Sequence, residues 1–304
     1  MKSNKNNVFQ LELKWHPVAA SVLLALPFVA HTAEISMKNG VVSSVGNVPV
    51  ININKANDKG LSHNVYDKLN VDKNGLIFNN SVGGANTTLA GQIQGNSNLT
   101  SGAAKVILNE VTSKNASAIN GMMEVAGDKA DLIIANPNGI TVNGGGSINT
   151  SKLTLTTGTP DIQNDALAGY SVNGGTITLG KLNNSSPTEI LSRNVVVNGK
   201  VTANELNVVA GNNYVDAAGQ VTGSVTAAGT RNANSIDVAA LGGMYANKIN
   251  LISTESGVGV RNQGVIAGGI GGVNIDANGQ LLNNNARIES SGQINIKTKG
   301  ALNN

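Results

Sequence analysis

Residues 139–144 have the spacing of a phosphate-binding loop, because Gly139 and Gly144 enclose four residues. A loop of that kind continues with a lysine and a serine or threonine, which reach the phosphates and a bound magnesium ion. Gly145 and Gly146 stand at those two positions in this chain. The sequence therefore predicts that this glycine pattern is structural and binds no phosphate.

Ser62, His63 and Asp67 have the residue types of a nucleophilic triad and lie close together in the chain. A triad needs side chains that converge in space, however, and neighbours in a strand point to opposite faces of the sheet. We therefore expect no catalysis here. His63 is instead predicted to be a hydrogen-bonding residue where the N-terminal segment packs.

Metal and cofactor chemistry has few candidate ligands. The chain contains no cysteine and three histidines, of which His16 and His31 lie in a segment predicted below to be removed. No carboxylates are grouped in the pattern of a calcium loop or of a calcium-binding nonapeptide repeat. We expect no metal, no cofactor and no disulfide, so packing and hydrogen bonds must stabilise the fold.

The elements that position these residues are predicted to be short strands. From Glu34 onward the chain alternates apolar and polar residues over a few positions at a time, between Gly, Asn and Asp. The clearest examples are residues 48–53, 153–155, 176–179, 195–197, 206–208, 249–251, 273–275 and 294–296.

Asn-Gly pairs mark corners, because both residues tolerate a positive φ. They occur at residues 39–40, 74–75, 138–139, 143–144, 173–174, 198–199 and 278–279. At residues 136–139, Pro137 suits the first corner position of a tight turn and Asn138 the second. Gly139 can then return the chain to a strand.

The C-terminal part of the chain repeats. Val273, Ile275, Gly279 and Leu281 recur 21 residues later as Ile294, Ile296, Gly300 and Leu302. An earlier copy places Gly257, Val260, Asn262 and Ile266 at 22 residues before Gly279, Leu282, Asn284 and Ile288. This period is typical of one coil of a parallel β-helix, in which Asn side chains form ladders at corners. Residues 283–285 are a candidate ladder.

The sequence thus favours an all-β parallel β-helix, a solenoid of stacked coils. A β-propeller needs blades of about 40 residues, and a sandwich has no reason to repeat at this interval. Residues 101–112 are ambiguous: their apolar spacing suits a short helix, but Val106, Ile107 and Val111 favour a strand. We predict a strand there.

The N-terminus is predicted to be an export signal. Lys2, Lys5 and Lys14 precede an apolar run over residues 18–30, and Ala33 suits a cleavage position. Because the run is too short to span a bilayer, we expect no integral membrane segment after cleavage. The remaining chain has 18 basic and 17 acidic residues, after three Lys are subtracted from 21 and one Glu from 18. This near-neutral balance argues against a nucleic-acid partner.

Several stretches, in order, resemble the N-terminal secretion domain of two-partner secretion exoproteins, a group that includes filamentous haemagglutinins, haemolysins and contact-dependent growth-inhibition toxins. The matching stretches are residues 60–67 (GLSHNVYD), 78–81 (FNNS), 89–99 (LAGQIQGNSNL), 109–112 (NEVT), 130–140 (ADLIIANPNGI), 148–150 (INT), 155–160 (LTTGTP), 240–246 (ALGGMYA) and 257–262 (GVGVRN). The resemblance covers about residues 34–280.

The resemblance implies a right-handed parallel β-helix with an N-terminal cap and short extra-helical β elements. It implies passage through the Sec export machinery, recognition by an outer-membrane β-barrel transporter with periplasmic POTRA domains, and folding outside. The location implied is the surface or surroundings of a Gram-negative bacterium, reached through the periplasm. A host or neighbouring-cell surface is an expected further partner.

The resemblance also assigns residues to transporter recognition and folding. They are Asn96, Ser97, Asn98 and Leu99 in the first turn, Asn109 and Glu110, and Asn136, Pro137, Asn138, Gly139 and Ile140 in the second turn. Ser97 replaces the proline of the family's first turn. Relatives with a Cys-x-x-Cys pair would place it near Val142 and Gly145, and this chain has neither cysteine.

These observations predict three segments: a signal peptide at 1–33, a secretion domain at 34–270 and the start of a repetitive shaft at 271–304. Because the chain stops directly after a repeat, we expect it to be the front of something longer or the product of a truncation. The expected protein is a non-enzymatic secreted exoprotein serving an adhesin or toxin shaft. The alternatives are a cytolysin of the same secretion class and a polysaccharide-active enzyme on a β-helix, and low, scattered charge argues against the enzyme.

Overall fold

The computed structural model describes residues 34–229 and 232–304, and their regular elements are all β-strands. The predicted signal peptide, residues 1–33, lies outside the described residues. The strands, in chain order, are β1 Ile35–Met37, β2 Val42–Val45, β3 Val48–Asn52, β4 Leu61–Leu69, β5 Leu76–Asn80, β6 Ala85–Thr87, β7 Gly91–Ile93, β8 Val106–Val111, β9 Ser117–Ile119, β10 Met122–Gly127, β11 Ala130–Ala135, β12 Ile140–Ile148, β13 Thr150–Thr156, β14 Thr159–Gln163, β15 Ala166–Val172, β16 Thr176–Asn183, β17 Thr188–Ser192, β18 Asn194–Val197, β19 Lys200–Ala210, β20 Asn213–Asp216, β21 Val221–Ser224, β22 Asn234–Val238, β23 Gly243–Ser253, β24 Gly259–Asn262, β25 Val265–Ala277, β26 Leu281–Asn283, β27 Arg287–Ser290, β28 Ile294–Thr298 and β29 Leu302–Asn303.

The main body is a parallel β-helix, in which each strand pairs with the equivalent strand one coil later. Along one face the pairing runs β4, β8, β11, β13, β17, β19, β23, β25, β28. An interior column on this face consists of Ile134, Leu155, Ile190, Val208, Leu251 and Ile275, all of them buried. Stacking of aliphatic side chains between coils supplies the main hydrophobic stabilisation, at about 1.5–3 kcal/mol for each fully buried residue. The predicted fold class is confirmed.

The ambiguous stretch forms strand β8, as predicted, because its β-branched residues pair with β4 on one side and β11 on the other. Burial of four residues in this stretch favours the strand over a helix. Ile107, Leu108 and Val111 are at most 1% exposed, and Ala104 is 2% exposed.

The 21-residue repeat is confirmed by the register of the coils. Val273 pairs with Ile294, Ile275 with Ile296, and Leu281 with Leu302. The earlier 22-residue offset is wrong for two of its pairs, since Val260 lies beside Leu281 and Asn262 beside Asn283. It holds for Ile266 and Ile288.

One extra corner residue explains this change of offset. Three residues lie between Asn262 and Ile266, and four lie between Asn283 and Ile288. Asn285 lies in that corner with a φ of 51°, in the left-handed region that asparagine tolerates. The predicted ladder therefore includes only the first residue of 283–285: Asn262 donates to Asn283 at 2.8 Å, and Asn283 to Asn304 at 2.5 Å.

The Asn143-Gly144 pair does not form the predicted corner. It lies inside β12, where the register against β16 shifts on both sides of Asn143. Gly144 has a φ of 114°. A bulge of this kind bends a strand without ending it, so β12 continues from one face of the helix to the next.

Antiparallel strands cap the N-terminal end of the helix. Strand β1 pairs with β4, and β2 pairs with β3, both antiparallel. These two strands cover the free edges of the first coil, which would otherwise present unpaired backbone groups to other chains. The predicted N-terminal cap is therefore present.

Two extra-helical β elements pack on the outside of the coils. The β6–β7 hairpin lies over β3, β5 and β10, where Val50, Ile77 and Ala126 form a small second core with Ile93. The second element is a four-stranded antiparallel sheet in the order β14, β15, β20, β21, which we call the outer sheet. It covers the outward-facing Leu108, Ile133, Leu191 and Val209 with side chains that include Tyr170, Val172 and Val215.

Candidate functional site

The second marked turn, Asn136 to Ile140, connects β11 to β12 and is built around a buried asparagine. The side-chain amide of Asn136 donates to Asn115 O and Ser117 Oγ, both at 2.9 Å. Its Oδ1 accepts the backbone N–H of Asn138 at 3.0 Å. The N–H of Gly139 donates to Asn136 O at 3.1 Å and closes the turn. The predicted corner is confirmed.

Glycine is required at the end of this turn. Gly139 has a φ of 109°, and a Cβ there would lie 3.0 Å from Thr176 O on the neighbouring coil. Both the conformation and the close approach favour a residue without a side chain.

The first marked turn, Asn96 to Leu99, has the same internal geometry. The N–H of Asn98 donates to Asn96 Oδ1 at 3.0 Å, and that of Leu99 to Asn96 O at 3.1 Å. The amide of Asn96 donates to Ile53 O and Asn79 O, both at 2.9 Å. Ser97 therefore occupies the proline position without changing the turn.

The two turns lie at opposite ends of the same face of the helix. The first precedes β8 and the second follows β11, and these two strands are paired neighbours. In both turns the first asparagine is buried, whereas Ser97, Asn98 and Asn138 are exposed. The buried asparagines fix the corners, and the exposed residues are the part that a partner of the folded chain can contact.

Asn109 and Glu110 lie within β8, apart from either turn. Asn109 faces the interior, where it accepts the Tyr66 hydroxyl at 2.8 Å and donates to Ile133 O at 3.1 Å. Burial raises the pKa of Tyr66 well above its usual value, so the phenol stays protonated and keeps donating. Glu110 faces outward and lies 2.7 Å from His63 Nε2.

The structure separates the residues of the conceivable triad. Ser62 is buried and donates to Asn54 O at 2.7 Å. His63 pairs with Glu110, and Asp67 lies 3.3 Å from Lys38 Nζ in the cap region. These three side chains form no relay, and His63 has the hydrogen-bonding role that the sequence predicts.

Two residues of β5 that the sequence did not assign to the site bond the first turn and the segment after it. Asn79 supplies the carbonyl that accepts the Asn96 amide. Asn80 is buried, donates to Ala104 O and Asp128 O at 2.9 Å each, and accepts the Ala104 N–H at 2.7 Å. The signal was present in the FNNS stretch, where two consecutive asparagines end the buried strand β5.

In residues 34–229 and 232–304, no group of three or more His, Cys, Asp or Glu side chains could hold a metal ion. Within the same described part of the chain, no helix is long and apolar enough to cross a membrane.

Replacing Ser97 with proline is expected to stabilise the protein by about 0.4–1 kcal/mol, because proline restricts the unfolded chain where the native backbone already suits it. Pro137 shows that an identical turn accepts proline at this position. Urea denaturation would measure the change. The matched exposed substitution Asn98→Pro should destabilise, since it removes the N–H that Asn96 accepts. A destabilised Ser97→Pro variant would contradict the equivalence of the two turns.

Asp131 lies on β11 beside a charge cluster at the margin of the outer sheet. Burial raises the pKa of its carboxyl; Lys152 opposes this rise and Glu189 adds to it. Because the folded state then holds the proton more tightly than the unfolded state, ionisation of Asp131 costs stability as pH rises above its usual pKa of about 3.9. That cost is absent at lower pH and is complete once the pH passes the folded-state pKa.

We therefore expect Asp131→Asn to raise the melting temperature at neutral pH and to lose this advantage at about pH 3, where both states are protonated. Asp128→Asn is the matched control, because Asp128 is an exposed acid next to the same strand. Thermal unfolding across pH would measure the difference, and an advantage that persists in acid would contradict this cause.

Comparison with known proteins gives one family. The sequence model of the TPS secretion domain matches residues 29–296. The chain is 41% identical over 303 residues to a protein named Toxin CdiA from Yersinia pestis, covering 95% of this chain and 9% of that protein. It is 42% identical over 268 residues to a tRNA nuclease CdiA from Yersinia mollaretii, covering 86% of this chain and 9% of the relative. The chain thus spans about a tenth of the length of these curated relatives.

A solved structure gives the same result. The crystal structure of the filamentous hemagglutinin secretion domain superposes with a TM-score of 0.72 at 34% identity. The match covers 88% of this chain and 96% of the other.

Proposed function

Because the chain belongs to the TPS secretion domain family, we propose that residues 34 to about 270 carry its exoprotein to a cognate outer-membrane transporter and nucleate folding outside the cell. The observation that carries this proposal is the order of parts: a capped first coil, then two turns of identical geometry on one face. Residues 1–33 are proposed to be the signal for Sec export, and residues 271–304 the beginning of the shaft. The protein is proposed to be released from, or held at, the surface of a Gram-negative bacterium.

The proposed partner is a β-barrel transporter whose periplasmic POTRA domains meet the chain before it folds. A coil closes against the coil before it, so folding can proceed from the capped end as the chain emerges. Most pairings join strands of successive coils, which keeps the contacts relatively local for a β protein. The cap supports this order, since it protects the first edge while later coils are still missing.

The marked residues divide into two proposed roles. Asn96, Leu99, Asn136, Gly139, Ile140 and Asn109 are buried and act in folding. Ser97, Asn98 and Asn138 are exposed in the folded turns, and Glu110 lies on the outer surface beside His63. These residues are available to a partner both before and after the coils close.

This region is proposed to be non-catalytic, because Ser62, His63 and Asp67 form no relay. Two relatives are named a toxin and a tRNA nuclease, and this chain matches only 9% of their length. Any toxin, adhesive or contact-dependent inhibition activity is therefore assigned to the remainder of a longer protein. A cytolysin of the same secretion class is the alternative for that remainder.

Deletion of residues 94–140 tests the proposal, because it removes both turns and the strands between them. With the cognate transporter present, we expect release into the medium to be lost and the chain to accumulate in the periplasm of protease-deficient cells. Deletion of residues 271–304 is the matched control and should leave release intact. Undiminished release of the 94–140 deletion would overturn the proposal. Loss of release in the control would place the end of the secretion domain beyond residue 270.

A further inference from the structure

A groove runs along the outside of the helix where the outer sheet ends. Its floor is the part of an outward-facing column in which Glu189 is followed by Asn207, Asn250 and Asn274. Its wall is formed by the turn of the outer sheet near Ala218 and Gln220. Under the outer sheet the same column contains Leu108 and Ile133. The side chains of the column are therefore apolar beneath the outer sheet and become amides beyond it.

The asparagines of the floor form a polarised ladder. Asn274 donates to Asn250 Oδ1 and Asn250 donates to Asn207 Oδ1, both at 2.7 Å. Each amide has two N–H groups and an oxygen with two lone pairs, and the ladder uses one of each in the middle residue. The floor therefore offers the solvent a donor and an acceptor about every 4.8 Å, the spacing of neighbouring strands.

Charges in the groove are balanced. Lys152 Nζ lies 2.9 Å from Glu189 Oε2, and Thr154 donates to the same carboxylate at 3.0 Å. Glu205 and Lys248 are directly paired residues on adjacent strands. A polyanion or polycation would therefore meet a repelling partner beside each attracting one.

Backbone recognition is not available on this floor. Strands β19, β23 and β25 are each paired on both sides, so their N–H and C=O groups are already used. A peptide that adds to a sheet needs a free edge. The remaining chemistry is that of side-chain amides, which suits hydroxyl and amide groups of a ligand.

We propose that this groove binds a neutral polysaccharide chain, aligned along the asparagine ladder. The inference concerns a site apart from the two marked turns, and its binding step does not depend on the secretion role. None of the described residues that line the groove is aromatic, so binding rests on repeated hydrogen bonds. Affinity is then expected to grow with the number of sugar units that contact the ladder.

Titration calorimetry on the purified secreted protein would test the site with chitohexaose and maltohexaose as neutral probes. Heparin hexasaccharide serves as the anionic probe and a Gly-Ser hexapeptide as the peptide probe. We expect saturable binding of a neutral hexasaccharide, weaker binding of its disaccharide, and no preference for heparin. Failure of both neutral probes to bind at millimolar concentration, or stronger binding of heparin or the peptide, would overturn the proposal.

Substitutions locate the binding. Asn250→Leu is expected to weaken it about tenfold by removing the middle of the ladder. Asn274→Leu should weaken binding by a similar factor. That loss cannot be attributed to damage of the core, since Asn274 is exposed. Asn198→Leu is the matched control, because Asn198 is an exposed asparagine between β18 and β19 and does not line the groove. Unchanged affinity in both ladder variants, with melting temperatures showing that they are folded, would also overturn the proposal.

Discussion

Replacing Arg193 with methionine is expected to lower the free energy of unfolding by about 3–5 kcal/mol, because it leaves a mostly buried carboxylate without its partner. Arg193 is 3% exposed and binds Glu255 through two hydrogen bonds, of 3.1 Å from Nε and 2.9 Å from Nη2. Its Nη1 also donates to Ala228 O at 2.6 Å. The hydrogen bond with Glu255 raises the pKa of Arg193 further, so the guanidinium remains charged.

The position of this pair explains the size of the effect. Arg193 lies at the corner between β17 and β18, Glu255 follows β23 at a later coil, and Ala228 belongs to the segment after β21. The Arg193 side chain therefore joins two coils to each other and to the segment that follows the outer sheet. Thermal and urea unfolding would measure the loss.

Two variants make the Arg193 result interpretable. Arg287→Met removes an arginine paired with Glu289, and because these side chains are 66% and 46% exposed the change should stay within about 0.5 kcal/mol. The double variant Arg193→Met with Glu255→Leu should be more stable than Arg193→Met alone, since no unpaired charge remains. A single variant as stable as the Arg287 control would show that the pair contributes nothing.

Asn136→Ala is expected to cost about 2–4 kcal/mol, since it removes two donated and two accepted hydrogen bonds at a fully buried position. Asn96→Ala should cost a similar amount, because its buried side chain also donates two hydrogen bonds and accepts one from the turn. Asn138→Ala is the exposed control in the same turn and should cost less than about 1 kcal/mol.

Export of the same variants separates the two roles of the turn. We expect Asn136→Ala to be released with a lowered melting temperature, which would assign the residue to the corner. Lost release together with an unchanged melting temperature would contradict this and would indicate direct recognition of Asn136 by the transporter.

The sequence contains local information that predicts the coils well. Alternation and β-branching indicated the strands, and Asn-Gly pairs indicated most corners, because both depend on a few neighbouring residues. The Asn143-Gly144 bulge was missed since the same residues that permit a turn also permit a bulge, and only pairing with β16 decides between them. The offset of 22 residues failed for a related reason: identical residues were aligned across a corner whose length differs.

Contacts between residues far apart in the sequence could not be predicted from these local patterns. Strand β15 pairs with β20 in the outer sheet, and Arg193 meets Glu255, which is 62 residues away in sequence. No local pattern distinguishes Arg193 from Arg261, whose carboxylate partner is on an adjacent coil and more exposed. For the marked turns, sequence predicted the corner but not that their first asparagines would be buried and bonded to earlier coils.

The extra residue at the Asn285 corner bears on how such proteins vary in evolution. An insertion within a strand would turn every following side chain to the opposite face and empty the interior column. The corner absorbs its additional residue, and the interior pairs on either side, Val260 with Leu281 and Ile266 with Ile288, are both kept. Length changes in this lineage should therefore accumulate at corners, and the same positions are where peptide tags or epitopes can be grafted without disturbing the stack.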